Sequence, residues 1–280
     1  MEQWADGYVR ANGIQIHYYR TGGDKPPIVL NHGAMDDGLC WTRVAKELEP
    51  AYDVVMLDAR GHGLSDSGMG DYASETRSKD MAEAMLALGL EKPVVGGHSL
   101  GAEGSMHLAA EYPELPRAIF LEDPVITLPG EPTFGGELGM DEEKALRMMQ
   151  RVMNLIKILP VPLGKLLARK MMPVALEDEL VAWILSKKRM DKDFFRSLRD
   201  TGTHLPDPFE VAERIRVPVL LLTGDRDQGA IVSAKAAANL AGSISGLQVA
   251  HIKGAGHDVR RAKFDEYMKA LRSFLDEVHA

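Results

Sequence analysis

The chain is poor in cysteine: Cys40 is the only one in 280 residues. No intrachain disulfide can form, which fits a reducing compartment, and a cytoplasmic location is expected. No run of about 18 apolar residues occurs, so neither a transmembrane helix nor a membrane partner is expected. The N-terminal stretch MEQWADGYVR is charged and has no apolar signal core. Nine histidines show no H-E-x-x-H spacing and there are no cysteine pairs, so no metal site is expected. A Gly-rich phosphate loop and internal repeats are also missing, and no cofactor is expected. Positive charge is short: 33 Lys and Arg face 41 Asp and Glu, a net charge of −8, which argues against nucleic acid as a partner. What remains is 45% hydrophobic and 26% charged, the balance of a globular chain long enough for one large α/β core.

Periodicity organises that core. Tyr8 to Arg20 alternates around Asn12-Gly13, a hairpin signal. Short apolar runs at 27–30, 53–58, 93–95, 118–121, 218–222 and 248–252 predict strands. Helical patterns fall between them, at 39–48, 75–90, 102–111 and 231–240, and a last helix runs over about 258–278. This alternation predicts a mainly parallel, doubly wound sheet. Helical segments near 141–159, 163–172, 176–185 and 191–198 interrupt it. The expected organisation is a core of residues 1–123 and 211–280 with a helical cap, 124–210, over the carboxyl edge of the sheet, where ligands of open α/β sheets bind.

Gly97-His98-Ser99-Leu100-Gly101 joins a strand to a helix. A sharp turn there would crowd the positions two before and two after the serine, and glycine at 97 and 101 removes the colliding side chains. The bent turn would lift the Ser99 hydroxyl clear as a nucleophile, which needs a base and an orienting acid. Asn31-His32-Gly33-Ala34-Met35 ends an earlier strand. The N–H groups of Ala34 and Leu100 are the expected oxyanion donors, worth about 3 kcal/mol each to a transition state. The expected base is His257 in Gly254-Ala255-Gly256-His257, after the last strand. For the acid, Thr223-Gly224-Asp225-Arg226-Asp227 offers two carboxylates. Asp227 has the longer reach toward His257, leaving Asp225 as a turn former or a partner for Arg226. Glu122 and Asp123, at the end of the strand before the insertion, are a third option, with Asp123 also readable as a turn residue before Pro124.

These stations resemble the α/β-hydrolase superfamily over nearly the whole chain. The matching residues are His32-Gly33, Arg60-Gly61-His62-Gly63-Leu64-Ser65-Asp66, the Ser99 elbow, Gly224-Asp225-Arg226-Asp227 and Gly254-Ala255-Gly256-His257. The chain is most similar to capped bacterial esterases, enol-lactonases, acyl-homoserine lactonases and cofactor-free perhydrolases. The resemblance implies that the G-x-x-D acid falls on Asp227 and that the 60–66 loop is a structural turn without a catalytic role. One departure stands out: where a proline often follows the acid, this chain reads Gln228-Gly229-Ala230-Ile231. A serine rather than an aspartate at the elbow sets it apart from the dehalogenases and epoxide hydrolases of this fold.

The expected activity is hydrolysis of a small carboxylic ester or lactone through an acyl-Ser99 intermediate. Carbon–carbon hydrolysis, perhydrolysis with the same triad, or slow-turnover ligand reception are the alternatives. Met35, Trp41 and His98 are the expected substrate-binding walls, by nearness in sequence to the elbow and the oxyanion loop. Seven methionines (140, 148, 149, 153, 171, 172 and 190) fall in the insertion, as an adaptable lining or as gap-fillers. Residues 140–200 hold 13 Lys and Arg against 9 Asp and Glu, read as solvated outer faces.

Overall fold

The computed structural model describes residues 4–131, 142–171, 177–200 and 207–280. Eight strands, β1 (Ala5–Ala11), β2 (Ile14–Arg20), β3 (Pro27–Asn31), β4 (Asp53–Leu57), β5 (Val94–His98), β6 (Ala118–Glu122), β7 (Val219–Thr223) and β8 (Gln248–His251), form one sheet in the order β1-β2-β4-β3-β5-β6-β7-β8. The β1–β2 and β2–β4 pairs are antiparallel and every other pair is parallel. The β1–β2 hairpin closes through Asn12 (φ 47°) and Gly13 (φ 82°), the left-handed pair that a two-residue turn between twisted strands requires.

The helices are α1 (Thr42–Leu48), α2 (Ser74–Ala87), α3 (Leu100–Glu111), α4 (Glu142–Ile158), α5 (Val161–Met171), α6 (Glu177–Arg189), α7 (Phe194–Asp200), α8 (Pro208–Ala212), α9 (Ala234–Ser243), α10 (Val259–Ala262) and α11 (Phe264–His279). Along the parallel strands successive side chains point to opposite faces. Val29, Val55, Leu57, Val219 and Leu221 join the core under α2, α3, α8 and α9. Ile28, Leu30, Val54, Met56, Leu220 and Leu222 join the core under α1 and α11. Burial on both faces explains why these strands read as continuous apolar runs.

Helices α4 to α7 lie between β6 and β7 as a helical insertion. Helix α8 crosses residue 210, and its buried Val211 and Ala212 belong to the core. The insertion has its own apolar centre, including Met153, Ile156, Trp183, Ile184, Met190 and Phe194, and Ala34, Met35 and Leu100 of the core pack against it. Of the methionines noted above, Met153 and Met190 are buried, Met149 packs against that centre and Met148 is exposed. Met140 and Met172 lie outside the described residues. The expected last helix is in fact two, because Lys263 (φ −140°, ψ 65°) leaves helical geometry between α10 and α11. Among the described residues, no helix is long and apolar enough to cross a membrane.

Candidate active site

Ser99 caps α3 with φ 52° and ψ −117°, a backbone conformation that side-chain-bearing residues rarely adopt. Such strain costs on the order of 1–3 kcal/mol and persists only where the surroundings enforce it. They do so here. Any side chain on Gly97 would collide with the backbone of Gly101 and Ala102, and one on Gly101 with the carbonyls of Asn31 and His32. The Ser99 N–H donates to Glu122 O at 2.9 Å, tying the elbow to the end of β6. Leu100 is the first residue of α3, so its N–H belongs to the unpaired, positive end of a helix. A methyl group on Gly33 would sit 2.8 Å from His98 Nδ1 and 3.4 Å from Ser99 Cβ. The loop that carries Ala34 therefore runs directly beside the serine.

The carboxylate beside His257 is where the structure departs from the sequence expectation. His257 Nδ1 lies 2.6 Å from Oδ2 of Asp123. Asp123 is fully buried, with φ 39°, the second strained non-glycine residue at this edge of the sheet. Its carboxylate also accepts the N–H groups of Ile231 (2.7 Å) and Val232 (3.0 Å). Asp227 is not brought to the histidine. It sits exposed in a short turn, Arg226–Gln228, that faces outward from β7. Asp225 is engaged elsewhere. Its carboxylate accepts Gly254 N–H at 2.6 Å and lies 2.8 Å from His251 Nε2, which pins the loop leading to His257. Glu122 points to the opposite face of β6, where it accepts from the Arg260 backbone and guanidinium, each at 2.8 Å. The residues of the third option were in the sequence, and Asp123 before Pro124 at the carboxyl end of a central strand was the signal.

Burial disfavours a charged His257, but the hydrogen bond and charge of Asp123 outweigh it, so its pKa stands above the ordinary histidine value. With Nδ1 committed to Asp123, the neutral ring carries its lone pair on Nε2. Its side chain is 27% exposed, against 4% for Ser99.

One expected substrate wall, Trp41, is placed elsewhere, and His98 lies beside Ser99 and His257. Trp41 is wholly buried beneath the sheet, edge-on to Phe120 and under the Arg260 guanidinium at 4.2 Å. The turn Gly38–Trp41 carries it away from the serine despite its nearness in sequence. His98 is also buried; its ring lies 4.5 Å from that of His257, and its Nε2 lies 3.1 Å from His257 O, so Nε2–H donates there. It thus supports the histidine loop. Burial first, then the nearby His257, holds its pKa well below the usual value, so it stays neutral. Met35, by contrast, faces the apolar centre of the insertion. The 60–66 loop also reaches the site: His62 Nε2 lies 2.6 Å from Ala34 O.

A strained serine, a buried carboxylate and an imidazole at the carboxyl edge of a mainly parallel sheet are the parts of a known fold, and residues 26–259 match the family described as the alpha/beta hydrolase fold. The chain belongs to this family. This hydrolase is 28% identical over 277 residues, 97% of each chain, to N-formylmaleamate deformylase of Pseudomonas putida. It is 26% identical over 267 residues to 2-(acetamidomethylene)succinate hydrolase of Mesorhizobium japonicum, covering 92% of this chain and 90% of that one. The enol-lactonase from Burkholderia xenovorans shares the fold of the hydrolase with a TM-score of 0.75 at 22% identity, over 96% of this chain and 100% of the other.

Proposed function

We propose that this hydrolase cleaves a small carboxylic ester or lactone through an acyl-enzyme on Ser99, with His257 as general base and acid and Asp123 as the orienting carboxylate. The observation that carries this reading is the 2.6 Å bond between His257 Nδ1 and the buried Asp123. It fixes the tautomer that leaves Nε2 to take the Ser99 proton. Ser99 Oγ attacks the carbonyl carbon, and the developing oxyanion is met by the N–H groups of Ala34 and Leu100. His257 then gives its proton to the leaving alkoxide as the carbonyl–oxygen bond breaks. Water, deprotonated by the same nitrogen, releases the acid from Ser99. The helical insertion, α4 to α7, acts as a cap. Its partly buried Met149, Val152 and Leu167 belong with Ala34, Met35 and Leu100 to one apolar cluster where the insertion meets the Ala34 loop, a surrounding suited to an apolar acyl group.

A second reading is cleavage of an N-acyl bond with the same residues, favoured by the two full-length relatives, whose names specify a deformylase and a hydrolase of an acetamido compound. Turnover of a panel of p-nitrophenyl esters, lactones and N-formyl or N-acetyl amides decides between them. Ser99→Ala is expected to abolish turnover, and an acyl adduct on Ser99 is expected by mass spectrometry with the slowest ester. Undiminished turnover by Ser99→Ala overturns both readings.

A further inference from the structure

Two polar groups of the loop after β3 are held by residues outside it, one of them by the insertion, and the Met35 carbonyl competes for a Ser186 proton whose nearer acceptor is Trp183 O at 2.8 Å. The Ala34 carbonyl meets His62. The Met35 carbonyl lies 3.1 Å from Ser186 Oγ of α6. The Asp36 carboxylate accepts from Lys187 Nζ of α6 at 2.7 Å and, on its other oxygen, from Arg261 Nη2 at 3.0 Å. Arg261 in turn donates to Asp258 at 2.6 Å, the residue after His257. Lys187 is completely buried, with Nζ also 3.2 Å from Ser186 Oγ and 4.2 Å over the Trp183 ring. Burial lowers the Lys187 pKa, while Arg261 and Lys187 overcome burial to hold Asp36 well below the usual carboxylate range.

A fully buried lysine is rare unless paired, and a buried pair replaced by apolar groups is often no less stable. Fold stability alone therefore does not account for it. Its location does. Lys187 sits on the insertion, and its partner lies two residues from the Ala34 donor. Arg261 extends the same network to the segment after the histidine. Undocking α6 would strip Asp36 of its lysine, freeing the loop on which an oxyanion site must stay rigid.

We propose that Lys187 is a positioning residue that clamps Asp36, so that docking of the insertion and assembly of the oxyanion site are a single event. The kinetic consequence rests on the Ser99 reading; the structural coupling does not. In the wild-type chain, hydrogen exchange of amides 34–39 is expected to share one opening rate with that of the α6 amides around 183–189. Loop amides that open independently of α6 overturn the coupling, whatever the substrate. In Lys187→Met, exchange at 34–39 is expected to rise at least tenfold. Its kcat is expected to fall about 10- to 100-fold while KM changes less than about threefold, because an oxyanion donor acts on the transition state. Lys187→Met/Asp36→Asn, which removes both charges, guards against a single variant that fails to fold. It is expected to regain thermal stability without regaining kcat. Wild-type kcat in the double variant, or a rise in KM alone, reduces Lys187 to a structural or pocket-shaping residue. Failure of the Ser99 reading shows separately, as turnover that survives Ser99→Ala.

Discussion

The loops that leave β6 and β7 stand side by side, and each begins with carboxylates, yet they do opposite things. After β6, Asp123 turns inward at φ 39° and meets His257. After β7, Asp227 turns out to solvent and Asp225 holds the Gly254 amide. The β7 loop does not abandon the acid; it supplies the Ile231 and Val232 N–H groups that brace Asp123. This gives a reason for the absence of proline in Gln228-Gly229-Ala230-Ile231. A proline at 231 or 232 would remove a donor. What qualifies a carboxylate for the histidine is burial among donors, not the number of residues between it and the strand.

The sharpest way to break this contrast is Asp123→Asn, expected to lower kcat about 10⁴-fold by destabilising the required tautomer and the imidazolium. A thermal melt alongside separates chemistry from folding, since setting the amide NH2 against a bracing N–H is expected to cost about 1–3 kcal/mol and leave the chain folded. Next, Ile231→Pro is expected to cost roughly 10²-fold in kcat through a misplaced carboxylate, read in the same ester assay. The pH profile sharpens the comparison differently. A general base must be neutral, so kcat/KM is expected to rise with pH through a midpoint above 6.5, the ordinary histidine value, because Asp123 favours the protonated ring. In Asp123→Asn, whatever activity remains is expected to have its midpoint shifted down. In Asp225→Asn the midpoint is expected to stay, with only a few-fold loss in kcat from a looser histidine loop. Smallest of all, Asp227→Asn is expected to leave kcat within about twofold and stability within about 0.5 kcal/mol, as for other exposed substitutions. A large loss at Asp227 with none at Asp123 reverses the assignment.

Much of the scaffold was legible because its signals are local. Alternation and Asn12-Gly13 announced the hairpin, continuous apolar runs announced strands buried on both faces, and the glycines around Ser99 announced the elbow. The carboxylate beside His257 was less legible because two neighbouring strand ends carry the same residue type, and the family pattern at Gly224–Asp227 pointed to an aspartate that the structure leaves in solvent. Trp41 misled for a related reason: a single short turn moved it to the far face of the sheet. Lys187 was invisible. It stands in a lysine-rich segment that reads as a solvated face, and only the tertiary arrangement brings Asp36, 151 residues away, to its ammonium.

Asp123 follows the last strand before the insertion, and the chain stays packed on the core through Ile126 before it reaches α4. Exchanging the insertion for one of another length would therefore strain a segment that begins beside the bend at Asp123. Grafts intended to change substrate range should retain the Asp123-Pro124 segment and Lys187 together, since a transplant without that lysine would leave the Asp36 carboxylate short of a partner.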